Sequence, residues 1–426
     1  MSLSLKQKPV GSTSVAEHDI SVLQPNNTQP LINKTRAANV ASANGVSSAE
    51  LWAARIGFFT GGFTVASWAP LIPFVQSGLS LTPMILGVLL LGLGVGSFVG
   101  MPLAGSLAKK MGCRNAIAAS GLISCALLVL LAWMPNYYFE CIALFLYGIS
   151  LGCLEVSANI YGTHLEKRNG TRLMSGMHAA YSIGEVFAAG CITALLVLGV
   201  TPFTTISLLM AALSATIIAV LRNVRNEKIQ KSNDKKDSGS FQLAFKGPVL
   251  LLAFVCAAVF LAEGAMLDWS AIYLRDEGGV AQEMSPIGYT LFVIAMAASR
   301  LLGDKLIMKR GAQFVLTVGL GLMISTLVLM VLYPQPWVLF ASLFVMGLGI
   351  ANLAPIIISA ASRDKGEDSV TAITTVSTIG YGGLLAGPAI IGAISSSISL
   401  PGAFLFIVAL LTLSVFMVRR HATIFN

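Results

Sequence analysis

Charge is scarce in this sequence. Asp, Glu, Lys and Arg make up 11% of its 426 residues, against about 25% in ordinary globular domains. With 55% hydrophobic residues and a mean hydropathy of +0.80, a soluble chain would have to bury more apolar surface than one core holds, so a soluble globular fold is excluded. Histidine occurs only four times. The cysteines (Cys113, Cys125, Cys141, Cys153, Cys191 and Cys256) lie in or beside apolar segments with neither a CxxC pair nor metal-ligand spacing. They read as small apolar packing residues, and no metal site or cofactor is expected. A nucleotide-cradling loop is missing too. GLGVGSFVG at 92–100 sits inside an apolar run with no strand before it, and Gly92, Gly96 and Gly100 repeat every four residues as in close helix packing. Residues 1–48 hold no apolar core of the kind a signal peptide needs, and read as a disordered polar tail.

Long apolar runs are what the sequence has in abundance. A bilayer core of roughly 30 Å needs about 20 apolar residues in a helix. Twelve runs qualify: 51–76, 84–108, 115–133, 138–162, 174–199, 202–221, 247–274, 286–308, 312–333, 337–360, 370–396 and 400–418. The formal charge of +8 could suggest nucleic acid, but its distribution speaks for a membrane. With the N-terminus placed inside, every Lys and Arg except Arg275 falls in the tail, in the loops of one side or at the helix ends that adjoin them. Basic residues are retained on the cytoplasmic side, so both termini are expected there.

The basic stretch 222–246 divides the chain into a bundle at 49–221 and a second at 247–420, with a short tail at 421–426. The halves repeat weakly. LFLYG (144–148) recurs as LFVMG (343–347), Ser-Ile-Gly (182–184) as Thr-Ile-Gly (378–380), and Trp68 as Trp269, at offsets of 199, 196 and 201. Nearly constant spacing argues for a duplicated half.

The loop after the second span reads GSLAKKMGCR (105–114). It resembles the cytoplasmic motif of the major facilitator superfamily, with Lys109 standing where that family has Asp. The matching stretch of the second half, SRLLGDKLIMKRG (299–311), keeps the acid as Asp304. GCLEVSANIYG, MSGMHAAYSIG, EGAMLDWSAIYL and GYGGLLAGPAIIG are similar to a bacterial branch related to sugar permeases such as fucose permease. The resemblance covers about 51–420. It implies an all-α membrane protein of two pseudo-symmetric six-helix bundles rocking about a midplane site, with spans 1, 4, 7 and 10 lining the cavity. It also implies that Gly105, Lys109, Arg300, Gly303 and Asp304 belong to a cytoplasmic gate. Arg300 and Asp304, four apart, suit an ion pair. GLLAGPAIIG (383–392) is also similar to an antiporter glycine-proline pattern, but lies on the eleventh span rather than the fifth.

Ionisable residues inside apolar spans carry the functional expectation, because each costs a few kcal/mol at bilayer depth and is kept for a reason. On the fourth span Gly148, Gly152, Glu155, Asn159 and Gly162 share one face. Two readings stand: close packing with Glu155 bonded to Asn159 or a neighbouring helix, or Glu155 as a proton or substrate ligand. His178 and Glu185 share a face of the fifth span, and Glu263 and Asp268 lie on the seventh, about 140° apart. These five are the proton-coupling candidates; Asn159, Trp269 and Asn352 are candidates for contacting solute. Together they suggest a proton-coupled secondary transporter of a small polar solute, sugar-like in class, working as a monomer in a bacterial inner membrane. Its partners would be solute, protons and lipid, with no nucleic acid and no enzymatic activity. Proton-antiport efflux of amphipathic compounds, or a non-transporting sensor with this fold, are the alternatives.

Overall fold

In the computed structural model of the chain, the described residues are 46–170, 173–222, 226, 247–361 and 369–421, without the side chains of Ser175, Asp304, Ser369 and Val370. The expected tail as far as residue 45, the central loop apart from Arg222 and Asn226, and residues 422–426 lie outside them. The described residues form 12 helices long and apolar enough to cross a membrane. They are α1 (Ser48–Gly78), α2 (Pro83–Met111), α3 (Cys113–Leu131), α4 (Tyr137–Asn169), α5 (Met174–Val197), α6 (Pro202–Leu221), α7 (Gly247–Asp276), α8 (Pro286–Arg310), α9 (Ala312–Leu332), α10 (Pro336–Ala361), α11 (Ser369–Ser397) and α12 (Leu400–Arg420). Two of them are interrupted: α1 passes through a 3₁₀ turn at Ala69–Leu71, and α10 breaks at Ala351 and Asn352.

The helix ends follow local chemistry. Ser47 and Glu50 form a reciprocal capping box, while Thr82, Asn136, Thr201 and Ser399 each accept a backbone N–H of the helix they open. Prolines occupy the first turn of α2, α6 and α8, where no N–H partner is lost. The α2–α3 and α8–α9 corners turn on Gly112 and Gly311, with φ of 86° and 85°, a region open to glycine but costly for a side chain. The same conformation, 199 residues apart, is the duplicated half expressed in backbone geometry.

Within the first bundle, α2 and α4 approach backbone to backbone. A Cβ on Gly96 or Gly100 would collide with the carbonyls of Phe145 or Ile149, and one on Gly148 or Gly152 with those of Leu93 or Ser97. Gly92 has open space instead and takes no part. Bare backbone on both sides brings the helices close enough for dense van der Waals packing, which in lipid replaces the hydrophobic drive.

An even number of spans places Ser48 and Arg420 on the same face of the bundle pair, called here the terminal face. The two bundles meet in the half remote from it. Met84 N–H donates to Ser396 Oγ at 2.9 Å, Thr193 and Thr290 share a hydroxyl bond of 2.9 Å, and Arg275 donates to the Pro73 carbonyl and to Gln76 Oε1 at 3.0 and 2.6 Å. Gly87 packs against the Pro388 carbonyl and Gly392 against that of Pro83. The 383–392 stretch is thus a packing strip that joins α11 to α2 and, through Gly383, to α7.

Candidate functional site: acids and aromatics between the bundles

The glycine-rich face of α4 is divided by depth between the two uses considered for it. Gly148 and Gly152 pack on α2, as above. One turn further along, Glu155 turns into the space between α1, α4, α5 and α11, where its Oε1 accepts the Tyr181 hydroxyl at 3.0 Å. Asn159 does not bond the Glu155 carboxylate; its amide donates to the Glu155 backbone carbonyl at 2.8 Å. A cavity of about 200 Å³ opens there, with Phe58, Glu155, Asn159, His178, Tyr181 and Tyr381 among its walls. Gly61 makes room for it: a Cβ there would crowd the Tyr181 ring. Across the cavity, Tyr381 stacks on Phe260 of α7 with ring centroids 5.1 Å apart.

A second cavity of about 470 Å³ separates α5 from α8, walled by His178, Ile183, Phe187, Arg300 and Leu301 among others. Arg300 projects into it with 40% of its side chain exposed. Its guanidinium lies 4.0 Å from Glu185 on α5 and 3.7 Å from Glu263 on α7. One cation is therefore shared between an acid of the first bundle and an acid of its own bundle. These are charge contacts without hydrogen-bond geometry. Counting Glu155, the described residues bring three carboxyls and one guanidinium together; full ionisation of these would leave two negative charges uncompensated, so the set is suited to taking up protons or cations.

Other expected pairings fall out differently. The side chain of Asp304 lies outside the described residues, and so does its expected pairing with Arg300; among the described residues Arg300 faces Glu185 and Glu263. Glu185 faces Arg300 and not His178, which packs edge-on against Phe58 at 5.1 Å and borders both cavities. Asp268, a little over a turn beyond Glu263 on α7, has no ion-pair partner among the described residues. Trp269 is fully buried and lines neither cavity. Asn352 sits at the break in α10 and donates to the Ser299 carbonyl at 3.2 Å, tying that break to α8, with its side chain over Gly303. At the terminal face, Gly105 has none of the described residues near its Cβ position, and Lys109 is exposed.

Tyr181 and Tyr381 were not singled out by the sequence reading. A signal existed for the first: His178, Tyr181 and Glu185 stand at i, i+3 and i+7 of α5. For Tyr381, in the run GYGG, spacing offers none. Sequence reasoning also passed over Glu140, fully buried in the first turn of α4.

The model of the Major Facilitator Superfamily matches residues 55–369. The chain belongs to this superfamily. It is 36% identical over 369 residues to an uncharacterised MFS-type transporter of Yersinia pestis, an alignment that spans 87% of this chain and 94% of the relative. It is 30% identical over 356 residues to the membrane protein MosC of Rhizobium meliloti, covering 83% and 85% of the two. Among solved structures, a mutant of the nucleoside transporter NupG superposes with a TM-score of 0.71 at 16% identity over 88% of this chain and all of the other. A bacterial homolog of the human lysosomal transporter Spinster, inward-facing and occupied, gives 0.66 at 15% identity over 88% and 96%. At those identities the structural likeness speaks for the fold. This superfamily member is an integral, multi-pass membrane transporter and not an enzyme.

Proposed function

We propose that the chain is a proton-coupled secondary transporter of a small polar solute, working by alternating access between its two bundles. The observation that carries the reading is Arg300, held between Glu185 of one bundle and Glu263 of the other at 4.0 and 3.7 Å. When Glu185 is ionised it attracts Arg300 across the cleft. When it holds a proton, Arg300 is left to Glu263, and the bundles lose a tie. A partly hydrated pair of this kind contributes about 0.2–1 kcal/mol, which shifts a two-state equilibrium no more than roughly five-fold. The tie therefore biases the open form gently, and strengthens as closure removes water from around it.

The terminal face is taken as cytoplasmic from the distribution of basic residues, which makes the conformation open to the cytoplasm and sealed outside. The membrane is then the bacterial cytoplasmic one, in keeping with relatives from Yersinia pestis and Rhizobium meliloti. A single chain supplies both walls of the path, so the monomer is the working unit. Glu155, Asn159, Tyr181 and Tyr381 form the solute side. A second reading, efflux of an amphipathic compound by proton antiport, is favoured by the exposed Ile183, Phe187 and Leu301 along the larger cavity.

Sealed proteoliposomes enclosing a pH-sensitive dye test this. Solute added outside should carry protons inward with it under symport and outward under antiport. Glu185→Gln should abolish proton movement while solute exchange persists. A protein that binds solute and moves neither solute nor protons would be a sensor and would overturn the reading.

A further inference from the structure

Building on the transport reading, the cavity beside Glu155 narrows the class of solute. Its walls are unbalanced in charge. Among the described residues Glu155 is its one acid and neither Lys nor Arg lines it; Arg300 is turned toward Glu185 and Glu263 and borders the other cavity. The Tyr181 hydroxyl is already donated to Glu155, and the Asn159 amide to the α4 backbone. What remains around the space are acceptors, the rest of the Glu155 carboxylate and the Asn159 carbonyl, and donors in the Tyr381 hydroxyl, the His178 ring and the second Asn159 N–H. Three aromatic rings, Phe58, Tyr181 and Tyr381, complete the walls. Aromatic faces attract cations through their quadrupole, and a carboxylate among them anchors the charge. An anion would meet Glu155 with no compensating cation. A neutral polyol could hydrogen-bond these groups but would leave the Glu155 charge without a counter-ion.

We infer that this cavity takes a small solute bearing a protonated amine, with the ammonium held by the Glu155 carboxylate against the rings of Tyr181, Tyr381 and Phe58. A space of about 200 Å³ suits a solute of about monosaccharide size. The division of labour follows from the two cavities: Glu155 recognises solute, and the Glu185–Arg300–Glu263 bridge responds to the proton. His178 borders both cavities and is the titratable group closest to linking them.

Purified full-length protein can be tested with matched pairs: glucosamine against glucose and N-acetylglucosamine, and phenethylamine against phenethyl alcohol. Binding is read by thermal shift and by isothermal titration. The amine of each pair should bind at least ten-fold more tightly than its neutral counterparts. Glu155→Gln should erase that preference, Glu155→Asp should keep part of it, and Tyr381→Leu should weaken the amines more than the neutral compounds. Melting in the absence of ligand separates a lost site from a lost fold. Neutral compounds binding as well as the amines, no amine binding at all, or an amine preference that survives Glu155→Gln would each overturn the inference. The transport reading fails separately. Neutral compounds that bind and move protons would leave it standing without the amine, whereas amines that bind through Glu155 but move no proton would remove the coupling and keep the site.

Discussion

The two halves of the bundle interface are built from different materials. Away from the terminal face the bundles touch through backbone: Gly87 against Pro388, Gly392 against Pro83, and hydroxyl and guanidinium bonds from Thr193 to Thr290 and from Arg275 to Pro73. Toward the terminal face, the described contact between bundles is a loose charge pair, Arg300 with Glu185. Backbone packing is close to all-or-none, because the interface cannot yield by fractions of an ångström without losing its contacts. A charge pair can be turned down by one proton. The contrast teaches that the seal fixes which conformations exist, while the charged cluster decides how often each is visited.

The comparison can be broken most forcefully at the glycines. Gly87→Leu should wedge α2 from α11 and drive the population toward the conformation open away from the terminal face, read by modification of cysteines placed on the two faces. Gly148→Leu, with the same added bulk inside one bundle, is the control. It should lower stability by about 1–3 kcal/mol, the usual cost of overpacking, with no preference for either face. Glu185→Gln comes next: proton-driven accumulation should collapse to the level set by exchange alone, roughly that of vesicles without a gradient. Arg275→Ala removes bonds to Pro73 and Gln76, and should loosen the seal by about 1.5–3 kcal/mol, the range for hydrogen bonds involving a charged group. The same accessibility assay would report it as a partial shift. Smallest in its effect on the conformational equilibrium, Glu50→Gln removes the charge pair with Arg168 at 2.9 Å, which lies within the first bundle at its terminal face. Because the Glu50 carboxylate is buried, stability read by melting should fall by about 1.5–3 kcal/mol, the range for hydrogen bonds to a charged group, with no change in which face is open.

Much of this architecture was legible in the sequence because the bilayer imposes a length and a hydropathy on every span. All twelve runs correspond to helices, and the corner glycines repeat at the offset of the internal repeat. Hydropathy reports membrane thickness and not helix length, which is why α4 continues through the polar stretch THLEKRN to Asn169, beyond the apolar run that ends near 162. The breaks in α1 and α10 escape it for the same reason. At the site, Glu155, Glu185 and Glu263 stood out one by one as costly acids. Their partners did not, since Arg300 meets Glu185 only after two bundles have packed, and sequence spacing offers Glu185 the nearer His178 first. Tyr381 has no local signal at all; its place opposite Glu155 comes from α11 crossing between the bundles.

The distance between the bundles at the terminal face, followed as a function of pH, tests the central claim most directly and needs no knowledge of the solute. Spin labels at Ser106→Cys on α2 and Lys305→Cys on α8, both exposed positions, would report it in membranes. If the Glu185–Arg300 tie responds to protons, the distance distribution should change with pH in the parent protein and become independent of pH in Glu185→Gln, with Glu155, His178 and Glu263 left intact. A distribution that titrates identically in both proteins would contradict the claim, and would assign the proton response to another member of the cluster.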